Sequence, residues 1–406
     1  MIPFSPPRVD QKTVDAVSET LLSGWITTGP KTKLFEKKLA EYIGAPRVIA
    51  LNSATAGLEL MLRWFGVKEG DEVIVPAYTY CATANVVEHC GAKVVFVDVN
   101  HDFNINISEV KKAITNRTKV IMPVDIGGMP INYDDLIGLV NEPEIKKLFN
   151  PENENQQKLG RIFINADSAH SIGAKYKGNY TGTQADAASF SFHAVKNLIT
   201  AEGGGVALNL PEPFGNEEIY KFLNLYSLHG QSKDALSKTQ VGGWKYDIVE
   251  AGFKCNMTDI QAAIGLVELE RYDGDTLKKR RYVFDRYSEK LSAYDWAEVP
   301  VYETEEKVSS YHVYMLRIKP ANEQLRDKIM EKIAEKQVAV NVHFQPVPNF
   351  TYYKNKGYNV MDYPQAFKNY EQEISLPVFY DLTDEQIDTV LNAVISSVEE
   401  VLAIHA

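Results

Sequence analysis

Cysteine is scarce in this chain, and the few cysteines are scattered. Only Cys81, Cys90 and Cys255 occur among 406 residues, which is too few for a disulfide framework or a zinc site. The scarcity predicts a reducing, cytoplasmic setting and no bound metal. Residues 1–12 lack a basic segment followed by an apolar run, so no signal peptide is predicted. No apolar stretch reaches the length of a membrane span, which predicts a protein outside the membrane.

A surplus of positive charge is also lacking. The formal net charge of −11 argues against a general nucleic-acid binder, which needs a basic face. It leaves room for a phosphorylated small molecule, because a few local donors can override the global sign. The chain is 45% hydrophobic and 24% charged, as is ordinary for a globular protein, and it is long enough for two or three lobes.

Two apolar runs, 161–165 and 187–192, are predicted to be buried strands that end in polar side chains. Asp167 and His170 follow the first run, and Ser191 and Lys196 lie at the end of the second. Groups just past the carboxyl ends of neighbouring strands converge on one crevice of an α/β sheet. An acid, a hydroxyl and an amine that face one small molecule fit a pyridoxal phosphate site. Taken singly, Lys196 is equally explained as a surface lysine and Asp167 as a helix cap, but the ordered pair favours the site.

A predicted phosphate seat lies earlier in the chain. A short strand at 48–52 ends in Ser53, Ala54 and Thr55, which lead into a helix at 58–65. The first N–H groups of a helix are unsatisfied and its dipole favours an anion there. Plain N-capping by small residues is the alternative interpretation.

These elements resemble those of a known enzyme family. The D-x-A-H element at 167–170 and the S-F-x-x-x-K-N element at 191–197 are similar to those of the DegT/DnrJ/StrS group of nucleotide-sugar aminotransferases, and the likeness extends over nearly the whole chain. The resemblance implies the type I fold of pyridoxal phosphate enzymes. We therefore expect an α/β protein with a large domain, 1–255, built on a mostly parallel seven-stranded sheet, and a smaller C-terminal α/β domain, 256–406. It also implies a homodimer with each site at the subunit interface.

The resemblance assigns roles to the cofactor-binding residues. It implies that Lys196, Asp167 and His170 are catalytic and contact the cofactor, and that Ser191, Ala54 and Thr55 hold its phosphate. Tyr80 matches an aromatic residue that stacks on the pyridine ring, although a core or rim tyrosine is the alternative in a chain with 22 tyrosines.

One further cofactor contact and the substrate contacts come from the same likeness. Asn256 matches a residue that reaches the cofactor phosphate of the neighbouring subunit. The arginine that precedes Met257 in the family is absent here, so Asn256 fits either of two family positions. The residues that the resemblance places near the substrate are Trp25, Thr28, His193, His312 and His343. From the sequence, Trp25 between glycines is either a packing residue or a binding-loop aromatic, and each histidine is equally explained as a strand-end residue.

The resemblance also implies the reaction. The expected donor is L-glutamate, and the expected acceptor is a nucleotide-linked 4-keto-6-deoxy sugar, a UDP-linked N-acetyl sugar by general likeness, for capsule, O-antigen or other surface glycan. The alternatives are a lyase or a sugar 3-aminotransferase of the same fold type, or a non-catalytic regulator. Lys196 argues against the dehydratases of the family, in which histidine replaces the lysine. A regulator is expected to lose Lys196 or Asp167, and both are present.

Three further segments carry structural expectations. Residues 141–157 are polar without firm periodicity and are predicted to be a surface insertion. A loop rich in lysine and glutamine is predicted after Gly230. In the last lobe, residues 338–344 are predicted to be a strand, between a helix at 323–336 and a strand at 374–378.

Overall fold

The computed structural model describes residues 1–232 and 246–405, and these form a large and a small lobe with separate apolar cores. The loop predicted after Gly230 lies mostly outside the described residues. Most of the first core comes from residues 35–272, and most of the second from residues 283–401. The predicted division at residue 255 stays a prediction.

The strands are short, and most belong to the large lobe. In chain order they are β1 Arg47–Leu51, β2 Glu72–Pro76, β3 Lys93–Val97, β4 Thr118–Ile121, β5 Phe163–Asp167, β6 Lys175–Tyr176, β7 Asn179–Tyr180, β8 Ala187–Ser191, β9 Gly204–Leu208, β10 Ala297–Glu298, β11 Lys307–Val308, β12 Tyr314–Ile318 and β13 Glu373–Leu376. Seven of them form the central sheet in the order β1-β9-β8-β5-β4-β2-β3. Every pairing in it is parallel except the two made by β9. The mostly parallel, seven-stranded sheet is therefore confirmed.

Helices cover the sheet and build the small lobe. They are α1 Gln11–Leu22, α2 Pro30–Ile43, α3 Ala54–Trp64, α4 Cys81–His89, α5 Ile107–Ala113, α6 Tyr133–Asn141, α7 Pro143–Leu148, α8 Glu154–Leu159, α9 Asn216–Tyr226, α10 Asp259–Glu270, α11 Leu277–Leu291, α12 Glu323–Glu335, α13 Thr351–Asn355, α14 Pro364–Gln372 and α15 Asp384–His405. Side-chain capping marks the beginning of several of them: Asp10 caps α1, Ser53 caps α3, and Thr258 with Gln261 forms a capping box on α10.

The small lobe is built on a three-stranded antiparallel sheet, β10-β12-β13. Its core includes Ile2, so the N-terminal segment reaches back to this lobe, where Ile2 bridges Val338. Helices α12 and α15 pack against each other in this lobe. The smaller C-terminal α/β unit expected from the sequence is thus present.

One local prediction was wrong. Residues 338–344 form no strand and make only isolated bridges at Val338 and Asn341. Residues 141–157, which were predicted to be a surface insertion, contain α7 and most of α8, and most of their side chains are exposed. The amide of Gln156 anchors this segment by donating to the carbonyl oxygen of Phe65 at 3.0 Å. The glycine-rich run at 203–205 carried no strand prediction, and residues 204–208 form β9, the strand between β1 and β8.

No helix within residues 1–232 and 246–405 combines the length and the apolar character needed to cross a bilayer.

Gly204 is expected to tolerate no side chain. A Cβ atom there would lie 2.3 Å from the backbone nitrogen of Ala54 and from the carbonyl carbon of Ser53. Because those are backbone atoms at the start of α3, Gly204→Ala should lower the stability of the protein by about 3 kcal/mol. The control is Gly138→Ala in α6, where a Cβ meets no atom within 4 Å and the change should raise stability by about 1 kcal/mol. Thermal unfolding midpoints measure both, and equal midpoints for the two variants would contradict this packing.

Candidate functional site

A cavity of about 330 Å³ opens at the carboxyl edge of the central sheet. Its walls come from the loops after β2, β5 and β8 and from the start of α3, and Asp167, His170, Ser191 and Lys196 all line it. The size is that of pockets that hold small molecules. A cavity of about 570 Å³ lies elsewhere, between the 101–103 loop and the 298–309 segment. We take the smaller cavity as the site because it gathers the amine, the acid and the helix start.

Lys196 lies in the loop that connects β8 to β9. These strands are antiparallel neighbours, and their loop is closed by bonds from Phe192 N to the Gly203 oxygen at 2.8 Å and from Thr200 N to the Phe192 oxygen at 2.7 Å. The half-buried side chain of Lys196 lines the cavity. Loss of water lowers the pKa of its amine to about 8, although the charge of Asp167 opposes this shift. About a tenth of the amine is therefore uncharged, and so nucleophilic, at pH 7, against less than about a thousandth for an ordinary lysine.

Asp167 ends β5 and is almost fully buried. Its carboxylate accepts a hydrogen bond from the Thr83 hydroxyl at 2.8 Å and one from the backbone N–H of Ala169 at 3.2 Å. Burial nevertheless raises the pKa of Asp167, while these donors and the charge of Lys196 work in the opposite direction. A cationic ring nitrogen beside this carboxylate would favour its ionised form.

His170 is held as a neutral ring. Its Nδ1 accepts the N–H of Gly127 at 3.3 Å, so the hydrogen of the neutral ring is on Nε2. Burial, with the nearby charge of Lys196, holds the pKa of His170 well below its usual value. The ring stacks on Phe344 at 5.7 Å between centroids and lies 4.4 Å from the ring of His312.

His312 lies behind His170 rather than in the cavity wall. Its Nδ1 is 2.8 Å from the side-chain oxygen of Asn197, whose amide donates to the Ser310 carbonyl oxygen at 2.7 Å. Ser310 in turn donates its hydroxyl to the carbonyl oxygen of His170 at 2.5 Å. The segment before β12 thus connects the loop that carries Lys196 to the loop that carries His170.

The start of α3 provides a seat for an anion beside this loop. Ala54 and Thr55 occupy the first positions of the helix, and both line the cavity together with Ser191. The absence of a side chain at Gly204 lets β9 approach the Ser53–Ala54 backbone. Helix-start N–H groups with an adjacent hydroxyl form a phosphate-binding arrangement. The donor set therefore fits pyridoxal phosphate, with the phosphate here, the pyridine nitrogen at Asp167 and the aldehyde at Lys196.

Of the other predicted residues, three line this cavity. Tyr80 is 59% exposed at its edge, with its ring 5.7 Å from that of Phe344. His193 is exposed, and its Nε2 is 3.5 Å from a carboxylate oxygen of Glu202. His343 lies on the small-lobe side of the cavity. All three are free to contact a ligand.

Trp25, Thr28 and Asn256 form a separate group outside the cavity wall. Asn256 donates its amide to the Thr28 hydroxyl at 2.5 Å, and the indole N–H of Trp25 donates to the carbonyl oxygen of Thr28 at 3.2 Å. The buried carboxylate of Asp259 fastens this group by accepting the N–H of Gly29 at 2.8 Å. Trp25 therefore packs on its own loop, as one of the two sequence interpretations expected.

The sequence reasoning missed several residues of the site. Thr83 donates to Asp167, Phe344 stacks on His170, and buried Asp125 accepts from the hydroxyls of Ser168 and Ser171 at 3.1 and 2.7 Å, which fixes the loop between Asp167 and His170. Asp125 lies four residues after the last residue of β4, so its place shortly after a buried strand was a usable signal. Thr83 and Phe344 reach the site only through the tertiary fold, so no local sequence pattern indicates them.

No cluster of three or more His, Cys, Asp or Glu side chains in the described parts of the chain has the geometry to hold a metal ion.

Comparison with known proteins gives a family match over nearly the whole chain. The model of the DegT/DnrJ/EryC1/StrS aminotransferase family matches residues 7–149 and 154–395. The chain is 38% identical to an uncharacterized protein of Methanocaldococcus jannaschii over 98% of both chains. It is 34% identical to the spore coat polysaccharide biosynthesis protein SpsC of Bacillus subtilis, over 97% of this chain and 96% of that protein.

Solved structures agree with this match. Spr1654 of Streptococcus pneumoniae, described as a sugar aminotransferase, was solved in a PMP form that is 44% identical, with a TM-score of 0.95 over 99% of this chain and 100% of that one. Its PLP form is 43% identical, with a TM-score of 0.94 over 98% and 99%. Helicobacter pylori PseC, an aminotransferase involved in the biosynthesis of pseudoaminic acid, is 26% identical, with a TM-score of 0.85 over 98% and 99%.

Thr83→Val should weaken the interaction of the Asp167 carboxylate with a cationic ring nitrogen. The substitution keeps the shape of the side chain and removes the donor to the carboxylate, a bond to a charged group worth about 1.5–3 kcal/mol. We expect about 10- to 100-fold weaker binding of pyridoxal phosphate, measured by absorbance titration of the apoprotein. Thr20→Val is the matched control, because Thr20 is also a buried helical threonine, bonded only to the Ala16 carbonyl oxygen. Equal affinities for the two variants would contradict the role of Thr83.

The reactivity of Lys196 should follow its lowered pKa. Only the uncharged amine reacts with acetic anhydride, so labelling of Lys196 in the apoprotein should increase with pH up to about 8 and then level off. Ordinary lysines level off near about 10.4. Asp167→Asn removes the charge that raises this pKa, so the plateau should begin at a lower pH. Mass spectrometry of the labelled peptides measures both, and a plateau near the ordinary lysine value would refute the desolvated amine.

Proposed function

Since the chain belongs to the DegT/DnrJ/EryC1/StrS aminotransferase family and is a pyridoxal-phosphate-dependent sugar aminotransferase, we propose that it transfers the amino group of L-glutamate to C4 of a nucleotide-linked 4-keto-6-deoxy sugar. The supporting observation is that one dry cavity contains the amine of Lys196, the carboxylate of Asp167 and a helix start that can hold a phosphate. Related proteins named for spore coat polysaccharide and for pseudoaminic acid favour a surface glycan as the destination.

In this proposal each residue has a defined task. Asp167 would hold the pyridine nitrogen, Lys196 would bond the aldehyde carbon, and Ser191 with the amides of Ala54 and Thr55 would hold the phosphate. When bound, the cofactor supplies an electron sink that acidifies the Cα–H of the amino donor. Because its Nδ1 accepts the Gly127 N–H, the neutral His170 would offer Nε2–H to the ring oxygen of the bound cofactor.

Lys196 also serves as the proton carrier. A general acid and base works best when its pKa is near the working pH, and the amine of Lys196 has a pKa of about 8. It can therefore accept the proton from Cα of the donor and return it within one turnover. Phe344, stacked on His170 at one side of the cavity, helps to exclude water from this transfer.

The substrate would enter past Tyr80 and His343, which line the open side of the cavity. His193 extends this surface, and His312 supports it from behind. We assign Trp25, Thr28 and Asn256 to a homodimer, in which this group would face the site of the partner subunit. Val14, Leu21, Leu22 and Ile26 expose apolar side chains on and just after α1, as a subunit interface requires. A UDP-linked N-acetyl sugar as acceptor and a cytoplasmic location stay predictions.

The proposed reaction has a direct test. Holoenzyme mixed with L-glutamate should release one 2-oxoglutarate per site and lose the absorbance of its aldehyde form. Added UDP-linked 4-keto-6-deoxy-N-acetyl sugar should restore that absorbance and yield an amino sugar by mass spectrometry, with NMR assigning the new amine to C4. The deoxythymidine-linked keto sugar is the comparison arm. Absence of 2-oxoglutarate would exclude glutamate as donor, and amination at C3 would exclude the proposed position.

Lys196→Ala should abolish this transfer. In the wild type, borohydride should fix the cofactor covalently to Lys196, and the variant should lose both the fixed adduct and the 2-oxoglutarate. Lys175→Ala is the control, because Lys175 is also half-buried but lies outside the cavity. Peptide mapping locates the adduct, and retained transfer in Lys196→Ala would remove Lys196 from the mechanism.

A further inference from the structure

Every polar atom of His343 except one has a hydrogen-bond partner among the described residues. Its backbone N–H donates to the Glu373 carboxylate at 2.9 Å, and its carbonyl oxygen accepts the Tyr78 hydroxyl at 2.7 Å. Nδ1 is 2.9 Å from the hydroxyl oxygen of Ser375, and the ring stacks on Phe4 at 5.4 Å between centroids. Among the described residues nothing bonds Nε2, and His343 lines the cavity. Nε2 is therefore the atom that His343 offers to a ligand.

Ser375 connects His343 to an acid that no arginine neutralises directly. Glu373 is fully buried at the start of β13, and one of its carboxylate oxygens is 2.5 Å from the hydroxyl oxygen of Ser375. Arg317, opposite Glu373 on β12, is ion-paired with Glu298, and Arg326 of α12 is ion-paired with Asp327. Burial consequently raises the pKa of Glu373 to about 8, against the bonds from Ser375 and His343 and the charges of both arginines.

A single hydroxyl between an acid and an imidazole makes the direction of one hydrogen bond determine the direction of the other. When Glu373 is ionised, Ser375 donates to it and must accept from Nδ1–H of His343, which leaves a lone pair on Nε2. When Glu373 is protonated, it donates to Ser375, Ser375 donates to Nδ1, and the hydrogen of the neutral ring moves to Nε2. The ring itself stays neutral in both cases, because burial lowers the pKa of His343 to about 4.

We propose that Glu373 is a positioning residue that acts through Ser375 to give His343 an Nε2–H donor for an oxygen of the substrate that can only accept hydrogen bonds. This inference rests on the proposed function, since it concerns the ligand of the same cavity. The acceptor-only oxygens beside the reacting carbons are the keto oxygen of the sugar and the α-carboxylate of the amino donor. Glu373 must be protonated for the donor form, so binding of that oxygen should weaken as the pH rises through the pKa of Glu373.

Other titratable groups face the hydrogen-bonded series Glu373–Ser375–His343 from the elements packed against it. Lys196 lies across the cavity from His343, with His170 and His312 beside it. Tyr78, on the loop after β2, faces Glu373 together with the two arginines. We call the hydrogen-bonded path from Glu373 through Ser375 to His343 the relay. A test of the relay needs a variant in which residue 373 no longer titrates while Lys196 still does.

Glu373→Gln is such a variant. The backbone N–H of His343 requires an acceptor, so the amide oxygen faces it and the amide NH₂ donates to Ser375. The variant should thus imitate protonated Glu373 at every pH and keep Nε2–H on His343. Ser375→Ala cuts the connection while Glu373 and His343 remain.

Kinetics in the two half-reactions give the first measurement. Wild-type KM for one substrate should increase about tenfold per pH unit above pH 8, because the protonated fraction of Glu373 falls at that rate. In Glu373→Gln that increase should vanish while the kcat profile set by Lys196 is retained, and in Ser375→Ala KM should be high at all pH. An effect on KM for glutamate assigns the donor carboxylate, and one on KM for the keto sugar assigns the keto oxygen. An unchanged pH profile in Glu373→Gln overturns the proposal.

A second measurement does not depend on activity. Solid-state ¹⁵N spectra of the histidine-labelled holoenzyme distinguish a protonated from an unprotonated ring nitrogen, and His343→Gln identifies the His343 signals among eight histidines. The proton should be on Nε2 at pH 7 and on Nδ1 at pH 9.5 in the wild type, and on Nε2 at both pH values in Glu373→Gln. The same tautomer at both pH values in the wild type overturns the relay, even if glutamate and sugar turnover is as proposed. Conversely, failure of the turnover test leaves this spectroscopic result readable.

Discussion

Desolvation of one amine and one carboxylate in a shared cavity is the constraint on which this site depends. Water is excluded from both Lys196 and Asp167, so burial moves the pKa of the amine down and that of the acid up, while their mutual attraction opposes both shifts. Neither group could be held in this state on a free loop. The sheet holds them, because β5 and β8 are adjacent parallel strands whose carboxyl ends release the two side chains side by side.

The small lobe contributes to the same constraint by closing the loops from outside. Asn197, one residue after Lys196, bonds Ser310 and His312, and Ser310 bonds the backbone of His170. Arg280 of α11 is buried behind this segment and donates to the carbonyl oxygens of Tyr311 and His312 at 2.8 and 2.6 Å. The geometry of the cavity is thus a property of both lobes, although most of the chemistry lies on the large one.

The sequence predicts the parts of this site that depend on local patterns, and it misses the contacts between residues far apart along the chain. Asp167 and Lys196 were predictable because each follows a local apolar run that identifies a strand. Thr83 was not, because it meets Asp167 from 84 positions away, and no short pattern records that pairing. The strand β9 was hidden by its glycines, which the packing against α3 requires and which otherwise indicate a loop. The wrong strand at 338–344 has the reverse cause: Val338 is buried and bridges Ile2, and Asn341 bridges Ser375 of β13, but no continuous ladder joins the segment to a sheet.

The ring nitrogens of the site histidines also depend on contacts with residues distant in sequence. Burial keeps His170, His312 and His343 neutral, so their contribution is the direction of hydrogen bonding rather than charge. Each direction is set from behind: by the Gly127 N–H for His170, by Asn197 for His312 and, in the proposed relay, by Ser375 in response to Glu373 for His343. In the proposed function the cavity would obtain its charge from Lys196 and Asp167 and its specificity from uncharged rings. For this reason the atoms behind those rings, on loops distant in sequence, matter as much to recognition as the rings themselves.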